Sequence, residues 1–151
     1  MDQVRTVISW ALALFLIFAF LQATVHPLPD PPPGQVKFYD LPGENIVFAL
    51  LAERSGIALF EPAGRVLTGI LELLAALLLL LPWTRRAGAG LAFLILAGAV
   101  GFHLSPWLGR EVPVSLSANA ASDNGQLFML AVAMLVASLL VFVIHPAKRK
   151  R

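Results

Sequence analysis

Four runs of apolar residues, Val7 to Val25, Gly64 to Leu81, Ala87 to Leu104 and Leu127 to Ile144, leave this chain few folds to choose from. Each approaches or reaches the ~18 to 20 residues that an α-helix needs to cross a hydrocarbon layer ~30 Å thick. A spanning segment must satisfy its backbone internally, so each run is expected as a helix. The composition agrees: 58% of residues are hydrophobic and 13% charged, whereas about a quarter are charged in soluble domains. The mean hydropathy is +0.81. An all-α integral membrane protein with one four-helix bundle follows, and 151 residues leave room for the connections and little else. Arg5 ahead of the first run resembles the start of a signal peptide, but the run is long and Leu21-Gln22-Ala23 is a poor cleavage site, so the segment is read as a membrane helix.

The basic residues give an orientation. Arg5, Arg85, Arg86, Lys148, Arg149, Lys150 and Arg151 share one side if both termini are cytoplasmic. The other side then carries Lys37, Arg54 and Arg110 among Asp30, Asp40, Glu44, Glu53, Glu61, Glu111 and Asp123. A multi-pass protein of the inner membrane is expected. The basic tail at 147–151 reads as a topology signal and lipid-headgroup contact, with no nucleic-acid partner.

The connections are equally legible. Residues 26–43 hold six prolines and are expected to be extended. Within residues 44–57, Ile46, Val47, Leu50 and Leu51 recur at helical spacing and Gly56 offers a stop, which predicts a short amphipathic helix at the outer face. Pro82 and Trp83 end the second span, and the short Thr84-Arg85-Arg86 turn makes spans two and three antiparallel neighbours. In span three, Gly88 with Ala92 and Ala97 with Gly101 are small pairs that permit close helix approach. Asp123, three residues before Gln126, is expected to cap span four, which is read as a lipid-facing wall.

Function has to be sought among polar groups at membrane depth, where ionisable side chains are costly and face a bundle interior or a wet pocket. Arg65 and Glu72 lie seven residues apart, nearly two turns, so with Thr68 and Gly69 they occupy one face of span two. Glu61 begins that face, and His103 ends span three at about the depth of Arg65. Glu61, Arg65, Thr68, Glu72 and His103 are therefore expected to line one outward-opening pocket, with Ala92, Leu96 and Ala99 as its wall. Contact between Arg65 and Glu72 is expected through water, His103 or a ligand, because ~10 Å separates them along the axis. His26 and His145, each followed by proline, are read as boundary residues. Three scattered histidines do not make a metal site, and there is no phosphate loop, nucleophile elbow or dinucleotide fingerprint. Without cysteine or a flavin, haem or iron–sulfur motif, no intrinsic cofactor is expected, and any redox role needs a partner.

The run from Glu61 to Glu72, its Arg-x-x-x-Gly-x-x-Glu pattern at Arg65, Gly69 and Glu72, the Leu-rich stretch to Pro82, then Gly88-Ala89, Gly98-Ala99 and His103, resembles bacterial DoxX-type membrane proteins. The resemblance runs from about Val47 to Ile144 and includes the Asp123-Asn124-Gly125 turn; the proline loop stands outside it. It implies a small four-helix inner-membrane protein whose relatives include a quinone-reducing thiosulfate oxidoreductase subunit and a subunit associated with oxidative-stress enzymes. More distant relatives bind sterols or act as receptor-assembly chaperones. Two readings stay open: a pocket for a quinone or other lipid, in which Arg65 or His103 donates to a carbonyl and Glu72 accepts or relays a proton, and an assembly or scaffold partner whose buried charges fix its own fold.

Overall fold

The computed structural model describes residues 2–25, 37–117 and 119–145. Five α-helices follow one another, α1 (Asp2–Thr24), α2 (Ile46–Ser55), α3 (Ala63–Leu80), α4 (Arg85–Leu104) and α5 (Gln126–Ile144), with a 3-10 turn at Ala58–Phe60. Four of them, all but α2, are long and apolar enough to cross a membrane. The chain is thus an all-helical bundle of four candidate spans with a short fifth helix between the first two. Two spans begin earlier than expected: α1 takes in the polar turn from Asp2, and α4 includes Arg85 and Arg86. Apolar content marks the part of a helix that faces lipid, and a helix runs on into the interface where polar side chains reach water. The proline-rich stretch at 26–36, with His26, and the tail at 147–151 lie outside the described residues.

The spans close a ring in which α1 packs on α3, α3 on α4, α4 on α5 and α5 back on α1. Its core is Ala13, Leu16 and Phe20 of α1, Ala75, Ala76 and Leu79 of α3, Ala89, Ala92 and Leu96 of α4, and Met134, Ala137 and Val141 of α5. Half of these are alanine, as expected where apolar burial gives no net drive in lipid and association depends on close packing. Gly88 carries this furthest: a Cβ there would stand 2.7 Å from the Leu79 backbone nitrogen and 2.8 Å from the Leu78 carbonyl carbon. Gly98 and Gly101 face open space instead. Of the two expected small-residue pairs, then, Gly88–Ala92 is a helix contact and Ala97–Gly101 lies on the outside with Leu94 and Leu104.

A second cluster caps one end. Ile46, Leu50 and Leu51 of α2 pack with Leu108 and Val112, flanked by Phe60, Phe102 and Leu127. Asn45 caps α2 by accepting from the Phe48 amide at 3.3 Å, and Gly56 ends it in the left-handed region at φ 73°, where a side chain would be strained. The N-cap of α5 is Gly125, not Asp123; Asp123, two residues earlier, ties down the start of the helix instead, its carboxylate accepting from Leu127 at 3.0 Å, from Gly125 at 2.9 Å and from Val112 at 2.8 Å. One carboxylate thereby ties the loop after α4 to the start of α5.

Candidate functional site

The buried face of α3 presents Arg65, Gly69, Glu72, Ala76 and Leu79, while Leu67, Ile70, Leu74 and Leu77 face outward. This is the 3.6-residue stripe expected from the sequence, and its upper half is polar. What meets it is the chain's own segment at Lys37 and Phe38, in the later part of the 26–43 loop. The Lys37 and Phe38 amides donate to the Ala23 and Thr24 carbonyls at 3.1 and 3.3 Å. Those carbonyls are among the last four of α1, which have no partner within the helix, so the segment is held where α1 needs donors.

From that seat the strap engages the stripe at three levels. Arg65 Nη1 donates to the Lys37 carbonyl. The Phe38 ring lies over Gly69, where a Cβ would come 2.9 Å from it. The Lys37 ammonium reaches down to Glu72, with Nζ 3.0 Å from Oε2. Arg65 Nε bridges both carboxylate oxygens of Glu61 at 3.0 Å each, and Glu61 also accepts from the Gly43 amide at 3.1 Å. Two acids and two bases thus form a neutral, largely dehydrated network in which Arg65 pairs with Glu61 and Glu72 with Lys37. The spacing between Arg65 and Glu72 is spanned by the strap.

The other expected members stand apart. The Thr68 hydroxyl donates back to the Gly64 carbonyl at 2.8 Å, within its own helix. His103 is buried, but its Nδ1 donates to the Gly109 carbonyl at 2.9 Å and its ring packs 5.8 Å from Phe128 of α5. It belongs with Asp123, not with Arg65. Burial alone would raise the Asp123 carboxyl pKa; its three backbone donors, helped by nearby His103, outweigh that and hold it below the ordinary aspartate value.

Lys37 was the residue that sequence reasoning missed, since nothing local in a proline-rich loop marks it. Charge counting offered a signal: Glu61, Arg65 and Glu72 sum to one negative charge, so a buried stripe required one more cation. A groove of about 560 Å³ opens elsewhere, between α2 and the 111–122 loop, lined by Glu53, Arg54, Glu111 and Ser122 among others. It is open to solvent, so its charges keep their water and need no ligand. Among the described residues, the buried side-chain atoms without a hydrogen-bond partner lie in the bundle: the Gln22 amide nitrogen of α1, both terminal nitrogens of Arg85 in α4, and Glu72 Oε2, which the Lys37 ammonium approaches without hydrogen-bond alignment. The fold and this stripe define a four-span helical bundle, membrane-spanning by length and composition, with a strapped polar site. Family models, curated proteins and solved structures were compared with the chain, and none matches.

Proposed function

We propose that this chain is a bacterial inner-membrane protein of the DoxX type that binds a lipophilic small molecule, a quinone or a lipid with a similar head, on the α3 stripe in place of the strap. The observation that carries this reading is what the strap supplies: a carbonyl oxygen to Arg65, a flat ring over Gly69 and an ammonium 3.0 Å from Glu72 Oε2, an oxygen that still lacks an aligned hydrogen bond. A partly reduced quinone offers a carbonyl, a ring and, in its hydroxyl, the hydrogen bond that Glu72 Oε2 lacks. Arg65 would hold the carbonyl, the absence of a side chain at Gly69 would admit the ring, and Glu72 Oε2 would accept the hydroxyl proton. Electrons would pass to or from a partner protein, since the sequence holds no carrier of its own, and the chain would serve as the membrane subunit of a redox complex. Both termini would be cytoplasmic, with the stripe opening to the outer side.

The second reading, an assembly or scaffold partner, draws on Gly98 and Gly101 of α4, where an added Cβ would meet nothing within 4 Å among the described residues. Mass spectrometry of the organic extract from gently solubilised protein separates the two. A stoichiometric quinone or lipid, lost in Glu72→Gln while the fold is kept, supports ligand binding; an associated membrane protein with no small molecule supports assembly.

A further inference from the structure

Arg85, at the start of α4 and the opposite end of the bundle from the strap, is fully buried. Arginine almost never is unless it is paired. Its Nε donates to the Leu79 carbonyl at 2.9 Å, and its guanidinium lies 3.5 Å over the Trp10 ring. That uses one donor and one face. Nη1 and Nη2, with four N–H groups, are buried without a hydrogen-bond partner among the described residues. Other polar groups at this end of the bundle are committed elsewhere: Ser9 pairs with His145 Nδ1 at 2.9 Å, His145 Nε2 donates to the Pro82 carbonyl at 2.9 Å, and the Thr84 hydroxyl donates to the Leu78 carbonyl at 2.9 Å.

The sequence offers little counter-charge here. Of the nine acidic residues, only Asp2 falls at this end, against Arg5, Arg85, Arg86 and the four basic residues of the tail. A dehydrated cation with two bare amino groups is costly to keep. The free edge of a guanidinium presents two parallel donors that match two oxygens of a phosphate. Pro82 and Trp83 place Arg85 where the apolar span gives way to the interface, the depth of lipid headgroups, and basic pockets between membrane helices take such groups.

We infer that the Nη1–Nη2 edge of Arg85 binds a phosphate oxyanion, supplied by the headgroup of an anionic lipid. Trp10, only partly buried, forms the movable wall of the site and its reporter.

The full chain in neutral detergent is titrated with phosphatidylglycerol, with phosphatidylcholine and with inorganic phosphate. Melting temperature and Trp10 emission are followed, the latter in a Trp83→Phe, Trp107→Phe background. Phosphatidylglycerol should raise the melting temperature and shift the emission, phosphatidylcholine should do neither, and Arg85→Lys, which keeps the charge but loses the fork, should respond about tenfold more weakly. Arg86→Gln should respond like the parent. An equal response to inorganic phosphate upholds the phosphate site and assigns it to a free anion. The inference fails if no phosphate compound moves either signal, or if Arg85→Lys responds like the parent. It fails too if Asp2→Asn alone lowers the melting temperature as far as Arg85→Gln and phosphate restores neither, for Asp2 is then the counter-ion.

Discussion

Lys37 and Glu72 lie thirty-five residues apart in sequence, and their energetic coupling distinguishes a strapped stripe from a stripe that pairs within α3. At 3.0 Å, Coulomb's law with an effective dielectric constant of ~20 gives a gross attraction of about 5.5 kcal/mol. The two side chains are 13% and 9% exposed, so water screens part of this, and a net coupling of about 2 to 4 kcal/mol is expected. Arg65 and Glu72, ~10 Å apart along the axis, would have about 1.7 kcal/mol before screening and under ~1 after it. The test is a pair of double-mutant cycles, Lys37→Met with Glu72→Gln and Arg65→Met with Glu72→Gln, read as reversible unfolding in mixed micelles by loss of helical circular dichroism. Each Lys37 or Glu72 single variant should lose about 2 to 3 kcal/mol, and the double variant much less than their sum. Additivity within ~0.5 kcal/mol for Lys37 and Glu72 would refute the strap. A larger coupling for Arg65 and Glu72 would restore pairing along the helix.

Further expectations follow from particular residues. Gly88→Ala should lower the melting temperature in detergent despite the ~1 kcal/mol helix preference of alanine, because its Cβ would meet backbone, whereas Gly98→Ala and Gly101→Ala should be neutral or stabilising. Asp123 has a folded pKa below its unfolded value of about 3.9, so the stability it contributes is present above that value and lost as pH falls through the folded one; hydrogen exchange at Val112 and Leu127 should rise over that range, and Asp123→Asn should remove the pH dependence. Single cysteines at Tyr39 and Trp83, which lie at opposite ends of the bundle and are 69% and 62% exposed, should react with impermeant label from opposite sides of the membrane, Tyr39 from outside; labelling from one side would contradict the topology.

The bundle was legible because each helix announces itself by length, apolar content and punctuation: Pro82 after α3, Gly56 after α2, Asp123 before α5. The stripe was legible too, since the periodicity that places Leu67, Ile70 and Leu74 outward puts Arg65, Gly69 and Glu72 inward. Partners were not. A helical period fixes which face a side chain takes, but the match of Lys37 to Glu72 depends on how a loop returns over α1, which no local pattern encodes. His103 shows the same limit: it does stand in the last turn of α4, but its azimuth directs it toward Phe128 of α5 and the Asp123 turn. Arg85 counted only as a topology charge, and its burial against Trp10 arises from the early start of α4.

The central claim is that ligand and strap compete for the α3 stripe, so loosening the strap should favour the ligand. Phe38→Ala removes the ring that lies over Gly69 and leaves Arg65, Gly69 and Glu72 in place. Quinone retention at equilibrium in detergent, measured in this variant and in the parent at matched helical content, should be higher in Phe38→Ala. Equal or lower retention, with the helices intact, would mean that the ligand does not occupy the strap's place and would contradict the account.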